Sequence, residues 1–191
     1  MTIADESTRS VLDPASASVV PARGTAAGVS EPDREAADSG IVEAIHIADA
    51  AGAPMRRVAS VHAIAGIGLE GDRYAAAVGH YSANTAVDRH VTLIEAEEIQ
   101  ALFGRAGIRL APGDTRRNVT TRGIALNELV GRRFRIGSVV CEGTRLCEPC
   151  QYLTDLLGTP VLEPLVHRAG LRARILEGGE ISTGDELVAL D

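Results

Sequence analysis

The residue types and spacing most able to do chemistry lie in Cys147-Glu-Pro-Cys150, at the end of the run Val139-Val-Cys-Glu-Gly-Thr-Arg-Leu-Cys-Glu-Pro-Cys150. The pattern predicts a strand that enters a cysteine-bearing turn and delivers Cys150 to the start of a helix. The helix dipole and free N–H groups favour a thiolate there, making it a better nucleophile or soft-metal ligand at neutral pH. Arg145 adds positive charge nearby. A Cys-x-x-Cys pair fits three chemistries: a redox dithiol, half of a zinc site, or one functional thiolate beside a bystander. No second such pair exists, so zinc needs Cys141, Cys147, Cys150 and His167 gathered by folding. A thioredoxin-like dithiol needs a parallel βαβ context that the following residues lack. Cys141, within a strand pattern, reads as a small buried hydrophobe.

A second segment, Pro112 to Gly123, crowds Arg116, Arg117, Asn118, Thr120, Thr121 and Arg122 into a turn leading into a strand. Guanidinium forks bind phosphate or carboxylate bidentately, and Asn and Thr satisfy ring heteroatoms. The same arginines would also serve to solvate a surface loop. A third segment, Gly68-Leu-Glu-Gly-Asp-Arg-Tyr74, opens an aperiodic stretch to Asp88 that reads as a functional loop or lid, with His80 either an acid–base group or an exposed ring. The fourth, His167 to Arg174, again concentrates arginine, and its lone histidine is as consistent with a structural role as with a chemical one.

The elements that must position these groups follow from composition and period. With 191 residues and 45% hydrophobic side chains the chain can build one real core, almost wholly aliphatic because there are two Phe, three Tyr and no Trp. Period-two runs at Ile41–Ile47, Val58–Ile64, His90–Ile94, Phe134–Ile136, Val139–Cys141 and Leu187–Leu190 predict strands punctuated by glycine. Ile99, Leu102, Phe103 and Ala106 at helical spacing predict a helix over 95–103, stopped by Gly104 and Gly107. A second helix is predicted over 152–157, ended by Gly158, and a turn or two over 124–129. The expected fold class is mainly β (α+β), a barrel-like domain over 41–191 with few short helices. Residues 1–40, with seven acidic residues and three arginines among Ala, Ser, Pro and Gly, read as a disordered acidic leader.

Charge and lysine content exclude several functions. The net charge is −7, which leaves no electrostatic footprint for nucleic acid. All 19 basic residues are arginine, so no lysine can form an aldimine with pyridoxal phosphate, complete a phosphate loop or act as a buried base. An odd number of cysteines, no basic signal peptide and no apolar run of ~18 residues lead us to expect a cytoplasmic protein with reduced thiols and no membrane partner.

Taken in order, Gly68-Leu-Glu-Gly-Asp-Arg, Arg116-Arg-Asn-Val, Val130-Gly-Arg-Arg-Phe-Arg-Ile-Gly137 and Leu146-Cys-Glu-Pro-Cys150 resemble the MOSC domain, named for the C-terminal part of molybdenum cofactor sulfurases. The resemblance runs from about Ile41 to the C-terminus and implies a β-barrel-like domain that handles molybdenum cofactor, a pterin dithiolene. It implies that Cys150 is the sulfur carrier or the ligand to Mo; Cys147 is a further catalytic candidate as its neighbour, with a role the match does not settle, and His167 is a weaker candidate, for proton relay. It further implies that Arg116, Arg117, Asn118 and Arg122, with Thr120, Thr121 and Arg174 as secondary candidates, grip the cofactor. The implied activity is reduction of an N-hydroxylated small-molecule substrate, with electrons from a separate reductase because no iron–sulfur motif or dinucleotide fingerprint is present. The alternative is a carrier in which Cys150 holds a persulfide without redox turnover. Full sulfurases use a lysine on pyridoxal phosphate, which this chain cannot do.

Overall fold

The structure is a computed structural model that describes residues 38–83 and 88–190. All but the last three residues of the expected leader lie outside the described residues. The first strand starts at Ser39, inside that segment's expected boundary.

Eleven strands follow in order: β1 (Ser39–Ile47), β2 (Arg56–Val58), β3 (Ser60–Ile64), β4 (Gly68–Leu69), β5 (Val91–Glu95), β6 (Val119–Arg122), β7 (Arg133–Ile136), β8 (Val139–Leu146), β9 (Leu171–Glu177), β10 (Gly179–Ser182) and β11 (Glu186–Ala189). Helix α1 (Ala96–Ala106) joins β5 to β6, and α2 (Gln151–Leu157) follows the cysteine turn. The order β11-β7-β8-β9-β5-β6-β1 closes on itself because β1 also pairs with β11, giving a seven-stranded barrel. β1 meets β11 through Ser39–Ile41 and β2 through Ile45–Ile47, while β6 runs along its other edge. A smaller antiparallel sheet, β10-β3-β4, completes the strands. Among the described residues no helix is long and apolar enough to cross a membrane.

Closure explains why alternating sequence suffices. Each strand sends every second side chain inward, and aliphatics such as Val42, Ile45, Leu93, Val119, Ile136, Leu171, Ile175 and Leu187, with Phe134, fill the interior. β5 is buried along its whole length and therefore reads as a continuous apolar run. It pairs in parallel with β6, through the α1 crossover, while its other neighbour β9 is antiparallel. Leu102, Leu153, Val161 and Leu165 form a second core beneath the helices.

α1 continues three residues beyond the expected 103, passing through Gly104 and ending at Gly107, which takes the left-handed cap conformation and donates its N–H to the Phe103 carbonyl. One interior glycine costs a helix only ~1 kcal/mol, less than the anchoring of Leu102 returns. Phe103 does not join the buried stripe; its ring lies exposed under the Arg109 guanidinium, 3.6 Å from the centroid. The segment read only as an arginine cluster after His167 forms β9, with Leu171, Ala173 and Ile175 inward.

Gly170 shows how tightly the barrel is closed where β9 begins. Its φ is +96°, and a Cβ there would lie 1.8 Å from the Leu93 carbonyl oxygen. Gly170→Ala is expected to destabilise by on the order of 3 kcal/mol or more, read as a fall in the urea midpoint. His90 titration should also be visible in stability. Its Nδ1 accepts the Ile175 N–H at 3.1 Å, and burial, then Arg174, hold its pKa below the ordinary 6.5. Below pH 6.5 the unfolded chain therefore binds a proton that the folded chain resists, so stability falls as pH drops through that region. Urea midpoints at pH 5.5 should lie below those at pH 7.5, and His90→Gln should narrow the gap.

Candidate functional site

Four segments converge on one cleft: the loop 72–83, the first residues of β5, the turn before β6, and the stretch from Cys147 into α2. β9 contributes Arg172. The cleft holds about 600 Å³ of empty space, its open mouth included. Cys150 caps α2 with extended backbone and stands half-buried in the wall, while Cys147 is buried in the same wall. The Tyr81 hydroxyl is pushed up to about 12, first by its hydrogen bond with Cys150 and then by burial.

Positive charge dominates this cleft although the chain is acidic. Arg73, Arg89, Arg116, Arg117 and Arg172 line it, against Glu148 as the one lining carboxylate among the described residues. Arg73 is paired with buried Asp72 at 3.0 Å and Arg89 with Asp88 at 3.3 Å. Burial would raise the Asp88 carboxyl, but hydrogen bonds from Arg145 and Arg89 and the charge of Arg172 bring it below its ordinary value. Burial pulls Arg172 down, and the charge and hydrogen bond of Cys147 outweigh it, holding the guanidinium up. Among the described residues, no carboxylate lies within ion-pair distance of Arg116 or Arg117.

These two neighbours do different work. Arg117 donates Nε to the Ala169 carbonyl at 2.8 Å, Nη1 to that of Thr115 at 3.2 Å, and Nη2 to those of Cys147 at 2.6 Å and Glu148 at 3.5 Å. It therefore ties the cysteine turn to the strands beneath. Arg116 takes φ 59°, donates Nη1 to the Ala53 carbonyl at 2.7 Å, and leaves Nη2 buried with no partner among the described residues. Burial, then Arg73, lowers its pKa. A buried guanidinium nitrogen without a partner is a donor that a bound acceptor would satisfy.

The structure does not bring the remaining expected residues into the cleft wall. Asn118 is buried and saturated: its Nδ2 donates to the His46 carbonyl and Asp72, and its Oδ1 accepts from Thr92. Thr120 and Thr121 are fully buried in β6, and Thr121 donates to the Ile94 carbonyl. Arg122, at the far end of that strand, pairs with Glu43 at 2.5 Å. Arg174 lies two residues beyond Arg172 on β9 and pairs with Glu142 at 2.7 Å. His167 is exposed, with Nδ1 2.6 Å from Glu148. The zinc set is not assembled, since Cys141 lies inside the barrel, where burial pushes its thiol to about 12. Alkylation of the native protein at neutral pH should therefore modify Cys150 first and leave Cys141 protected until unfolding, as peptide mass spectrometry would record.

Sequence reasoning missed Arg73, Arg89, Arg172 and the tyrosines. All three tyrosines of the chain, Tyr74, Tyr81 and Tyr152, line this cleft. His80 stacks on Tyr152 at 3.9 Å with an interplanar angle of 9°, and Tyr81 stands edge-on to His80. Asp72 and Arg73 carried a signal in the Gly-Asp-Arg step; Asp72 accepts from the Ala48 and Tyr74 N–H groups and from Asn118 and Arg73, so it anchors the loop.

The site is defined by a closed barrel that presents a half-buried thiol at a helix start among five guanidinium groups. The family model for the MOSC domain matches residues 71–188, and the chain belongs to that family, which is associated with molybdenum cofactor. The fold is shared with the YuaD protein from Bacillus subtilis, at TM-score 0.66 and 18% identity over 78% of this chain and 94% of that one. YiiM from Geobacillus stearothermophilus aligns at TM-score 0.59 and 19% identity over 80% and 75% of the two chains. YiiM from Escherichia coli aligns at 0.57 and 15%, over 81% and 69%. No curated protein matches the sequence.

Proposed function

We propose that this cleft binds molybdenum cofactor through Cys150 and that the protein is an oxidoreductase acting on N-hydroxylated small molecules. The observation that carries the reading is the unpartnered, buried Nη2 of Arg116 in the same wall as Cys150. The donor set fits the group: one accessible thiol suits a soft metal, and a guanidinium without a carboxylate partner suits phosphate or pterin oxygens. The cofactor, when bound, supplies two-electron chemistry.

The chain's own residues do the rest. Cys150 Sγ is the metal ligand, and the Tyr81 hydroxyl at that sulfur orients it. Arg116 takes the anionic part of the cofactor through Nη2, while Arg117 keeps the cysteine turn in register. Glu148 faces the cleft and meets solvent-exposed His167 at 2.6 Å, a route by which a proton reaches the site. Electrons come from a separate reductase. The test is molybdenum and pterin analysis of protein made in cells that synthesise the cofactor, followed by turnover of an N-hydroxylated amidine with a chemical reductant. Stoichiometric metal with turnover supports the reading; metal without turnover removes the reductase activity; no metal, with Cys150 accepting sulfane sulfur, replaces it by the carrier.

A further inference from the structure

Arg116 borders a second cleft as well, formed by β1, the turn 49–55, the segment 111–114 and the end of α2. Its empty space, mouth included, is about 1050 Å³. We infer that this second cleft is a binding site for a small organic anion with an apolar body, distinct from the Cys150 site.

Pro54, Met55, Leu156 and Leu157 make up the apolar part of the lining. Its polar groups point to an acceptor-bearing head. His46 is 8% exposed, and its buried Nδ1 has no partner among the described residues. A buried N–H without an acceptor costs more than an unpaired lone pair, so the proton rests on Nε2, on the Gly113 side of the ring. Gly113 keeps that side open: a Cβ there would lie 3.1 Å from His46 Cδ2, 3.4 Å from Nε2 and 3.5 Å from Met55 Cβ. Its φ is not in the left-handed region, so space rather than backbone conformation is what glycine provides here. Arg57, an exposed side chain, adds a guanidinium group to the lining; Arg116 also borders it, but its Nη2 serves the Cys150 cleft and its Nη1 is bonded to the Ala53 carbonyl. Asp114, the one carboxylate there, has its Oδ2 engaged by the Ala111 N–H at 2.8 Å. The His46 N–H and the Arg57 guanidinium beside apolar side chains select a carboxylate carrying a short hydrocarbon chain over a cation or a neutral alcohol.

The test is an NMR titration of the full chain with sodium hexanoate, following the His46 ring, with hexylammonium as the control. We expect a saturable shift with a dissociation constant on the order of millimolar or tighter, as ligand size allows. Gly113→Val, which fills the space beside the imidazole, and Arg57→Gln, an exposed change that leaves the core untouched, should each weaken it by about tenfold. Cys150→Ser should bind hexanoate like wild type whether or not the protein holds molybdenum, so this result and the cofactor reading fail separately. An equal response to hexylammonium, or hexanoate moving Tyr81 and Tyr152 rather than His46, would overturn the inference, as would no saturable shift.

Discussion

Cys150→Ser is expected to lose molybdenum while keeping the barrel. The hydroxyl is a hard, weakly acidic donor in place of a soft thiolate, and metal content per mole of protein should fall by more than about tenfold. Stability should change by only about 1 kcal/mol, because the half-buried Cys150 lies in no barrel layer and packs only on the margin of the helical core. Cys147→Ser is the informative control. Its sulfur is buried beside Arg172 in the same wall, so the two substitutions separate a metal ligand from a neighbour that shapes the cleft. Plasma mass spectrometry on both variants and wild type, alongside urea unfolding, reads both quantities. Equal molybdenum in wild type and Cys150→Ser would end the assignment of the ligand.

The second large effect is on the frame. Arg117→Ala removes the donors serving the carbonyls of Ala169, Thr115, Cys147 and Glu148 in a region with little access to water. Unpaired buried acceptors cost ~1–3 kcal/mol each, partly relieved by water entering the space, so we expect a loss of about 3–5 kcal/mol in urea unfolding. Arg117→Lys should recover little, because one ammonium cannot reach carbonyls on several sides as a planar fork does. Arg116→Ala should behave oppositely, with stability within ~1.5 kcal/mol of wild type, since one carbonyl bond is lost, and cofactor retention down by about tenfold. If both variants melt alike and retain cofactor alike, the division between frame and ligand contact is wrong.

The strands were legible where one face is buried and the other wet, as in β3 and β7, because alternation then survives in the sequence. β9 had the same alternation, but the arginines on its outer face at 172 and 174 read more loudly as chemistry than as a strand's polar side. Cys150 was legible for a local reason: a proline before it, a helix after it and Gly158 to end that helix all lie within a few residues. Thr120 and Thr121 were drawn towards the site by sequence proximity to Arg116, yet a strand of 3.3 Å per residue carries them away from it into the barrel wall.

By itself, then, the sequence determined a strand-rich aliphatic domain, the absence of lysine chemistry and a cysteine at a helix start, since each of these depends on composition or on residues a few positions apart. Only the tertiary structure decided which arginines share the cleft. Arg73, Arg89, Arg116, Arg117 and Arg172 come from segments spread over a hundred residues and are gathered by the β1–β11 closure and the parallel β5–β6 pairing. Long-range strand pairing leaves no mark on the spacing of the residues it unites, and the partner that makes one guanidinium a strut and leaves its neighbour open is fixed only when the barrel closes.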